Sequence, residues 1–206
     1  ASPYEWQKLP RREKLHRDVA LRLKAPLIYL NQVGATDEIL FDGASFALSL
    51  DGSLVARLPV FERGELALDW DPASGAIKVL SASPRQEMQE PSSIEELRRG
   101  LIVGIRDYFK KTGFKKAVLG LSGGIDSAVC AVLACEALGP GNVIGVGMPS
   151  SFSSGHSLED AEILARSLGL KWEVRPIKFL YATASRELGE GRGGLAPIAL
   201  ENLQSR

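Results

Sequence analysis

From Lys115 to Leu138 the chain reads KKAVLGLSGGIDSAVCAVLACEAL, and no other stretch restricts its possible folds as much. Ala117-Val118-Leu119 is a short apolar run with the composition of a buried strand. Ser122-Gly123-Gly124-Ile125-Asp126-Ser127 follows, and a run of helical composition opens directly after it. A glycine-rich turn between strand and helix lets backbone approach a ligand closely and aims unpaired N–H groups at it. The positive end of the helix dipole falls at the same place, which suits a phosphate or pyrophosphate. The loop has neither the Gly-Lys-Ser/Thr ending of a Walker A loop, whose lysine reaches the terminal phosphates, nor the Gly-x-Gly-x-x-Gly dinucleotide pattern.

The surrounding pattern sets this turn in an α/β frame. Ser92 or Ser93 can cap a helix with Glu95 and Glu96 in its first turn. That helix runs to about Thr112 and carries Ile94, Leu97, Leu101, Ile105 and Phe109 on one side. Strand 116–121, the glycine loop, helix 126–138, strand 142–147, helix 157–168 and strand 171–177 follow, with a left-handed cap expected at Gly169. Strands alternating with helices predict a parallel, doubly wound sheet, with ligands at the carboxyl ends of its strands. Ser122–Ser127 and Met148–Ser154 both fall there. Residues 186–198, rich in glycine and arginine, read as a mobile loop.

Before residue 80 the pattern changes. Helix 9–24 places Leu15, Val19 and Leu23 at fourfold spacing, and Pro26 stops it. Leu27–Leu30 reads as a buried strand and Ala44–Leu50 as a half-buried one. Asp51-Gly52 marks a hairpin into Leu54–Leu58, and Glu65–Trp70 supplies one more strand. This is half of a layered α/β domain, with its first half expected outside the chain. Ser81 to Pro91 is polar and proline-bounded, which places a linker at 81–92.

Composition excludes several function classes. Of 206 residues, 45% are hydrophobic and 24% charged, an ordinary globular balance. Lys+Arg and Asp+Glu are both 25, so no basic excess argues for nucleic acid, and no run of about 18 apolar residues argues for a membrane span. The start, ASPYEWQKLPRRE, has no hydrophobic leader core and no initiator methionine, as expected of a chain cut from something longer. Cys130 and Cys135, five apart in one helix, point to different faces. Both read as small buried apolar residues, with a reducing cytoplasm as the natural compartment. His16 and His156 have no partner at metal or triad spacing and read as surface residues.

Four segments in order resemble one family. SGGIDS at 122–127 looks like the pyrophosphate loop (PP-loop) of ATP pyrophosphatases. Met148–Ser154 with Ser157-Leu158-Glu159-Asp160-Ala161 is similar to a stretch of NAD synthetases, as is ENLQSR at 201–206. Asn31-Gln32-Val33-Gly34, Asp37-Glu38 and Phe41–Ser45 resemble the late part of the nitrilase-type glutaminase domain that precedes the synthetase in glutamine-dependent NAD synthetases. The resemblance implies three parts. Residues 1–80 would end a nitrilase-like α/β sandwich, 81–92 would link, and 93–206 would begin a doubly wound sheet of the adenine nucleotide alpha hydrolase type.

It also implies a ligase of NAD biosynthesis, amidating deamido-NAD to NAD through an adenylate, with ammonia drawn from glutamine. ATP would be the co-substrate and Mg²⁺ the metal. A homo-oligomer is expected, without nucleic-acid or membrane partners. ATP-binding would fall to Gly120, Leu121, Ser122, Gly123, Gly124, Ile125, Asp126, Ser127 and Met148, with Gly145 and Gly147 flanking the adenine. Asp126 would be the Mg²⁺ ligand, since hard cations take carboxylates alongside phosphate oxygens; a helix cap is the competing role. Asn202, with Glu201 and Arg206, would contact deamido-NAD. Ser2 and Lys8 match positions that contact glutamine, and Asn31, Gln32, Asp42 and Ser45 would support that site. The glutaminase glutamate, lysine and cysteine are expected upstream, so no catalytic residue of that half is assigned here. Another ATP pyrophosphatase, such as a GMP synthetase or a tRNA thiolation enzyme, and a nucleotide-binding or assembly fragment without turnover remain open.

Overall fold

The computed structural model describes residues 2–89, 91–150 and 155–189. It divides into two compact units, Ala1–Gly113 and Phe114–Arg206.

The first unit opens with helix α1, Lys8–Leu23. The expected stripe of this helix is not its buried face: Leu15 and Leu23 are 63% and 64% exposed, while Leu9, Arg12, Glu13 and Ala20 are buried. The inward face carries charge because the charges are paired. Arg12 forks onto Asp42 at 3.0 and 2.7 Å, and Arg57 Nη1 donates to Glu13 at 2.6 Å. The bidentate Arg12–Asp42 pair is the form in which a guanidinium best tolerates burial, and Arg57 meets Glu13 through a single bond. Burial alone would lower the Arg12 pKa, but the bonds to Asp42 override it and leave the pKa raised. His16, expected at the surface, is half-buried edge-on against Tyr29 and Phe46, with ring centroids 4.7 and 5.5 Å away.

Strands β1 (Leu27–Tyr29), β4 (Phe46–Leu48) and β5 (Leu54–Arg57) form an antiparallel sheet in the order β1-β4-β5. As the central strand, β4 is buried at all three positions, where half-burial was expected. Between β1 and β4 runs the hairpin β2 (Val33–Thr36) and β3 (Ile39–Asp42), which the alternation in the sequence did not reveal. Strand β6 (Glu65–Trp70) pairs with β7 (Ile77–Ser83), so the expected linker loses its first three residues to a strand.

Helix α2 spans Ser93–Thr112, and the Ser92 hydroxyl caps it by accepting from the Glu95 amide at 3.3 Å. Its buried positions are Glu96, Gly100, Ile102 and Val103, so Ile94, Leu97 and Leu101 of the expected stripe stay exposed. The helix packs on β2 and β3 through polar clamps. The Ala35 amide donates to Asp107 at 2.8 Å, and Lys111 Nζ donates to the Ala35 carbonyl and, at 2.8 Å, to the Thr36 hydroxyl.

The second unit holds a parallel sheet in the order β10-β9-β8, from β8 (Ala117–Gly120), β9 (Val143–Gly147) and β10 (Lys171–Val174). Helix α3 (Ile125–Leu138) links β8 to β9, and α4 (Gly155–Leu168) links β9 to β10. The two helices touch each other and so share one face of the sheet. Small residues make the approach possible: Ala131, Ala134, Ala161 and Ala165 are buried with Leu121, Val143 and Leu170. Each fills the cluster with a single methyl, so helix and sheet can approach closely. Cys135 lies in this core, but Cys130 is exposed, against expectation. Burial raises the Cys135 thiol pKa. Gly169 ends α4 at φ 70°, as its sequence predicts. The strand expected over 171–177 stops at Val174, although the Arg175 and Ile177 amides still donate to the Gly147 and Pro149 carbonyls at 2.8 and 3.0 Å. Helix α5, Lys178–Gly189, takes in the first residues of the expected loop. Both strand-to-helix loops, after β8 and after β9, leave the carboxyl edge of the sheet.

Candidate functional site

Gly120 ends β8, and the chain leaves the sheet through Leu121–Gly124 into α3. Leu121 is an anchor: its side chain is buried and its amide donates to the Val146 carbonyl at 3.0 Å. Two serines brace the turn. The Ser122 amide donates to the Ser127 hydroxyl at 3.2 Å, and that hydroxyl donates to the Gly124 carbonyl at 2.9 Å. The Ser122 and Ser127 hydroxyls lie 3.1 Å apart, and the Gly124 amide reaches the Ser122 hydroxyl at 3.3 Å.

Gly123 is dictated by this shape. Its φ is 78°, and a Cβ there would stand 2.9 Å from the Ser157 Cα of α4. Only glycine combines the left-handed conformation with an approach this close. Gly124 is the residue before α3, and among the described residues no side chain caps the helix. The amides of Ile125, Asp126 and Ser127, in the first turn, therefore have no helical acceptor and point outward with the dipole. Ile125 and Asp126 are exposed, and Asp126 makes no capping bond, which removes the competing role for its carboxylate.

Beside the loop, Met148 follows β9 and is 50% exposed, and a Cβ on Gly120 would meet its Cε at 2.9 Å. The pair forms an apolar, close-fitting surface at the strand ends. Gly145 and Gly147 are buried instead, covered by Leu121 and Leu170 and by Leu158 and Trp172. Their absent side chains make room for the core. Ser150 is half-buried, while Ser151, Ser153 and Ser154 lie outside the described residues, as do Glu201, Asn202 and Arg206. Asp160 is exposed, and His156 is exposed beside Glu159, 3.9 Å away.

Chemically, the loop offers outward amides, two hydroxyls and one carboxylate. No described lysine or arginine bonds to any of these groups. Such a cradle holds the anionic tail of a nucleotide through dipoles. The exposed Asp126 suits a hard cation shared with phosphate oxygens, since Mg²⁺ takes one or two carboxylates and completes its shell with phosphate and water. Among the described residues no group of three or more His, Cys, Asp or Glu forms a ready metal cage.

The other predicted contacts, Ser2 and Lys8, belong to the first unit. Lys8 opens α1 and its Nζ donates to the Pro3 carbonyl at 3.0 Å. The Ser2 amide donates to Asn31 Oδ1 at 2.8 Å, and Asn31 Nδ2 donates back to the Ser2 carbonyl at 3.1 Å. A cavity of about 250 Å³ is lined in part by Asn31, Ser45, Glu62 and Arg63. This bonding of Ser2 was not legible as such. The Asn-Gln-Val-Gly segment pointed to the neighbourhood, and only the backbone path reveals the partner.

Comparison with known proteins follows the same lines. The family model for NAD synthase matches residues 98–206. The chain is 43% identical, over its whole length, to a glutamine-dependent NAD(+) synthetase of Synechocystis and 42% identical to that of Rhodobacter capsulatus. It spans 36% and 37% of the length of these two curated relatives. Among solved structures, it resembles the glutamine-dependent NAD+ synthetase of Acinetobacter baumannii in complex with adenosine diphosphate. That match has a TM-score of 0.90 and 33% identity, covering 99% of this chain and 38% of that one. The glutamine-dependent NAD(+) synthetase of Cytophaga hutchinsonii shares the fold, with a TM-score of 0.78 at 18% identity, covering 99% of this chain and 40% of that one. No helix among the described residues is long and apolar enough to cross a membrane.

Proposed function

The chain belongs to the NAD synthase family, and from that premise we propose that it is the middle of a glutamine-dependent NAD synthetase. Residues 1–80 end a nitrilase-like amidase domain, 81–92 connect, and 93–206 begin the ATP-pyrophosphatase domain. The family match from residue 98 and the start of α2 at Ser93 support that boundary. Membership also displaces GMP synthetase and tRNA thiolation chemistry as readings of the SGGIDS loop. The reaction is the amidation of deamido-NAD to NAD, with ATP split to AMP and pyrophosphate and the nitrogen supplied by glutamine. The enzyme works in a reducing cytoplasm and as a homo-oligomer.

The nicotinate carboxylate of deamido-NAD attacks the α-phosphate of ATP, pyrophosphate leaves, and ammonia then displaces AMP from the adenylate. Adenylation is needed because a free carboxylate is a poor acyl donor. The loop binds the β and γ phosphates through the amides of Gly123, Ile125, Asp126 and Ser127 and the hydroxyls of Ser122 and Ser127. These hydroxyls exchange their mutual bond for phosphate oxygens. Such preorganised dipoles hold the charge that develops on departing pyrophosphate. Leu121 contributes through its anchored backbone, and Gly120 with Met148 gives the adenine a flat apolar seat. Asp126 holds Mg²⁺, which neutralises phosphate charge when bound. Asn202 contacts deamido-NAD, and Ser2 and Lys8 contact glutamine.

The observation that carries this reading is the uncapped, lysine-free loop lying within the family match. Its test is NAD formation by the full-length protein supplied with deamido-NAD, ATP and glutamine. NAD formation that requires all three supports the reading, and a protein that consumes ATP without making NAD refutes it.

A further inference from the structure

We infer that Asn31 is a positioning residue for the amide donor, fixing Ser2 at the glutamine site by clamping both polar groups of its backbone. The inference rests on the reading that Ser2 contacts glutamine. Asn31 is 7% exposed, and its carboxamide accepts from the Ser2 amide at 2.8 Å while donating to the Ser2 carbonyl at 3.1 Å. A side chain must be donor and acceptor at once to grip both groups of one residue, which a carboxamide does and a carboxylate of the same reach does not. The grip leaves the Ser2 hydroxyl, which has no hydrogen-bond partner among the described residues, as the group available to a ligand.

What makes the clamp directional lies beneath it. Asn31 Nδ2 also donates to Asp42 Oδ1 at 3.0 Å, and Asp42, 1% exposed, is held by both terminal nitrogens of Arg12. Turning the Asn31 amide over would set its oxygen against the Asp42 carboxylate, so the buried ion pair selects one orientation. The Asn31 backbone is fixed too: its amide donates to the Ser45 hydroxyl at 3.0 Å, and that hydroxyl donates to the Asn31 carbonyl at 3.3 Å. Two further bonds hold the segment after Ser2, from Lys8 Nζ to the Pro3 carbonyl and from the Tyr4 amide to the Leu40 carbonyl at 2.7 Å. The order of dependence is Arg12, Asp42, Asn31, Ser2. The Asp42 carboxylate and the Asn31 carboxamide have every polar atom bonded, and linked bonds of this kind hold a single geometry.

The experiment is a double-mutant cycle in the full-length protein, reading KM for glutamine, with the ammonia-supported rate measured alongside as a control for folding. Asn31→Ala should raise the glutamine KM about 10-fold, with a smaller change in the glutamine-supported kcat. Ser2→Ala should also raise it. The double variant should be no worse than Ser2→Ala alone, because a clamp acting only through Ser2 cannot add to its loss. Additive effects, or an unchanged KM in Asn31→Ala beside a raised one in Ser2→Ala, overturn the inference alone. No effect of Ser2→Ala overturns the reading of Ser2 and the inference with it. Should Asn31→Ala lose the ammonia-supported rate as well, Asn31→Ser, whose shorter side chain lacks the reach of the carboxamide, takes its place in the cycle. A raised glutamine KM that does not add to that of Ser2→Ala then supports the inference, and an unchanged or additive one overturns it.

Discussion

At the residue scale the loop after β8 depends on what two positions cannot exchange. Asp126 is exposed in the first turn of a helix that it does not cap, so its carboxylate has little structural role. Asp126→Asn in the full-length protein should therefore change stability by no more than about 1 kcal/mol, the size of a lost helix-dipole interaction. Turnover should fall about 100-fold, or about 2.7 kcal/mol at 1.36 kcal/mol per decade. Steady-state kinetics beside thermal melts check both, and normal activity with a lowered melting temperature would remove Asp126 from the metal site. Gly123 is constrained in the opposite way, by space. Gly123→Ala brings a methyl group against the backbone at Ser157 and forces a left-handed conformation on alanine. The expected result is a sharply raised KM for ATP, because the amides are turned away from the phosphates, and an ATP titration of the variant measures it. The glycine was legible in the sequence as a turn. Its neighbour was not, because Ser157 is 34 residues away by its number and is brought there only when α4 packs beside α3.

At the element scale, charge organises the start of α2 as strongly as apolar contact does. Glu95 receives Arg98 Nε at 2.8 Å and Arg99 Nε at 2.8 Å, and these bonds, Arg98 first, lower its pKa from 4.5 to about 2. A carboxyl group depressed in the folded state stabilises above its unfolded pKa and loses that contribution as the pH falls through its folded one. Wild type should thus melt above Glu95→Gln at pH 6, and the gap should close between about pH 4.5 and pH 2. Melting curves of both proteins across that range decide it, and a gap that persists at pH 2 would show that the bonds do not depend on ionisation. The elements themselves were unequally legible. In the second unit strands and helices alternate, and small residues mark the inner helix faces, so β8, α3, β9 and α4 stand close to where their sequence predicts. In α1 the apolar spacing misled, because the inward face is built from Arg12 and Glu13, which read as solvent residues until Asp42 and Arg57 are seen opposite them. Strand β7 was hidden for a related reason. Its last residues, Ser81-Ala82-Ser83, are small and close to a proline, and pairing with β6 rather than side-chain pattern makes them a strand.

At the scale of the whole molecule, two units with separate cores carry two sets of contacts. The first holds Ser2 through Asn31, above the buried Arg12–Asp42 pair, and the second presents the loop after β8 at a sheet edge. Composition puts the linker at 81–92, and α2, which follows it, packs on β2 and β3 within the first compact unit. Packing of a connecting helix on the domain before it leaves no compositional trace, so only the fold could reveal it. The central claim is that the SGGIDS loop serves cleavage between the α and β phosphates of ATP. It is tested most directly by giving the full-length protein ATP labelled separately at the α and γ phosphates, together with deamido-NAD and glutamine. The account predicts α label in AMP and γ label in pyrophosphate, both dependent on deamido-NAD. Label in ADP and inorganic phosphate, or cleavage indifferent to deamido-NAD, would contradict it.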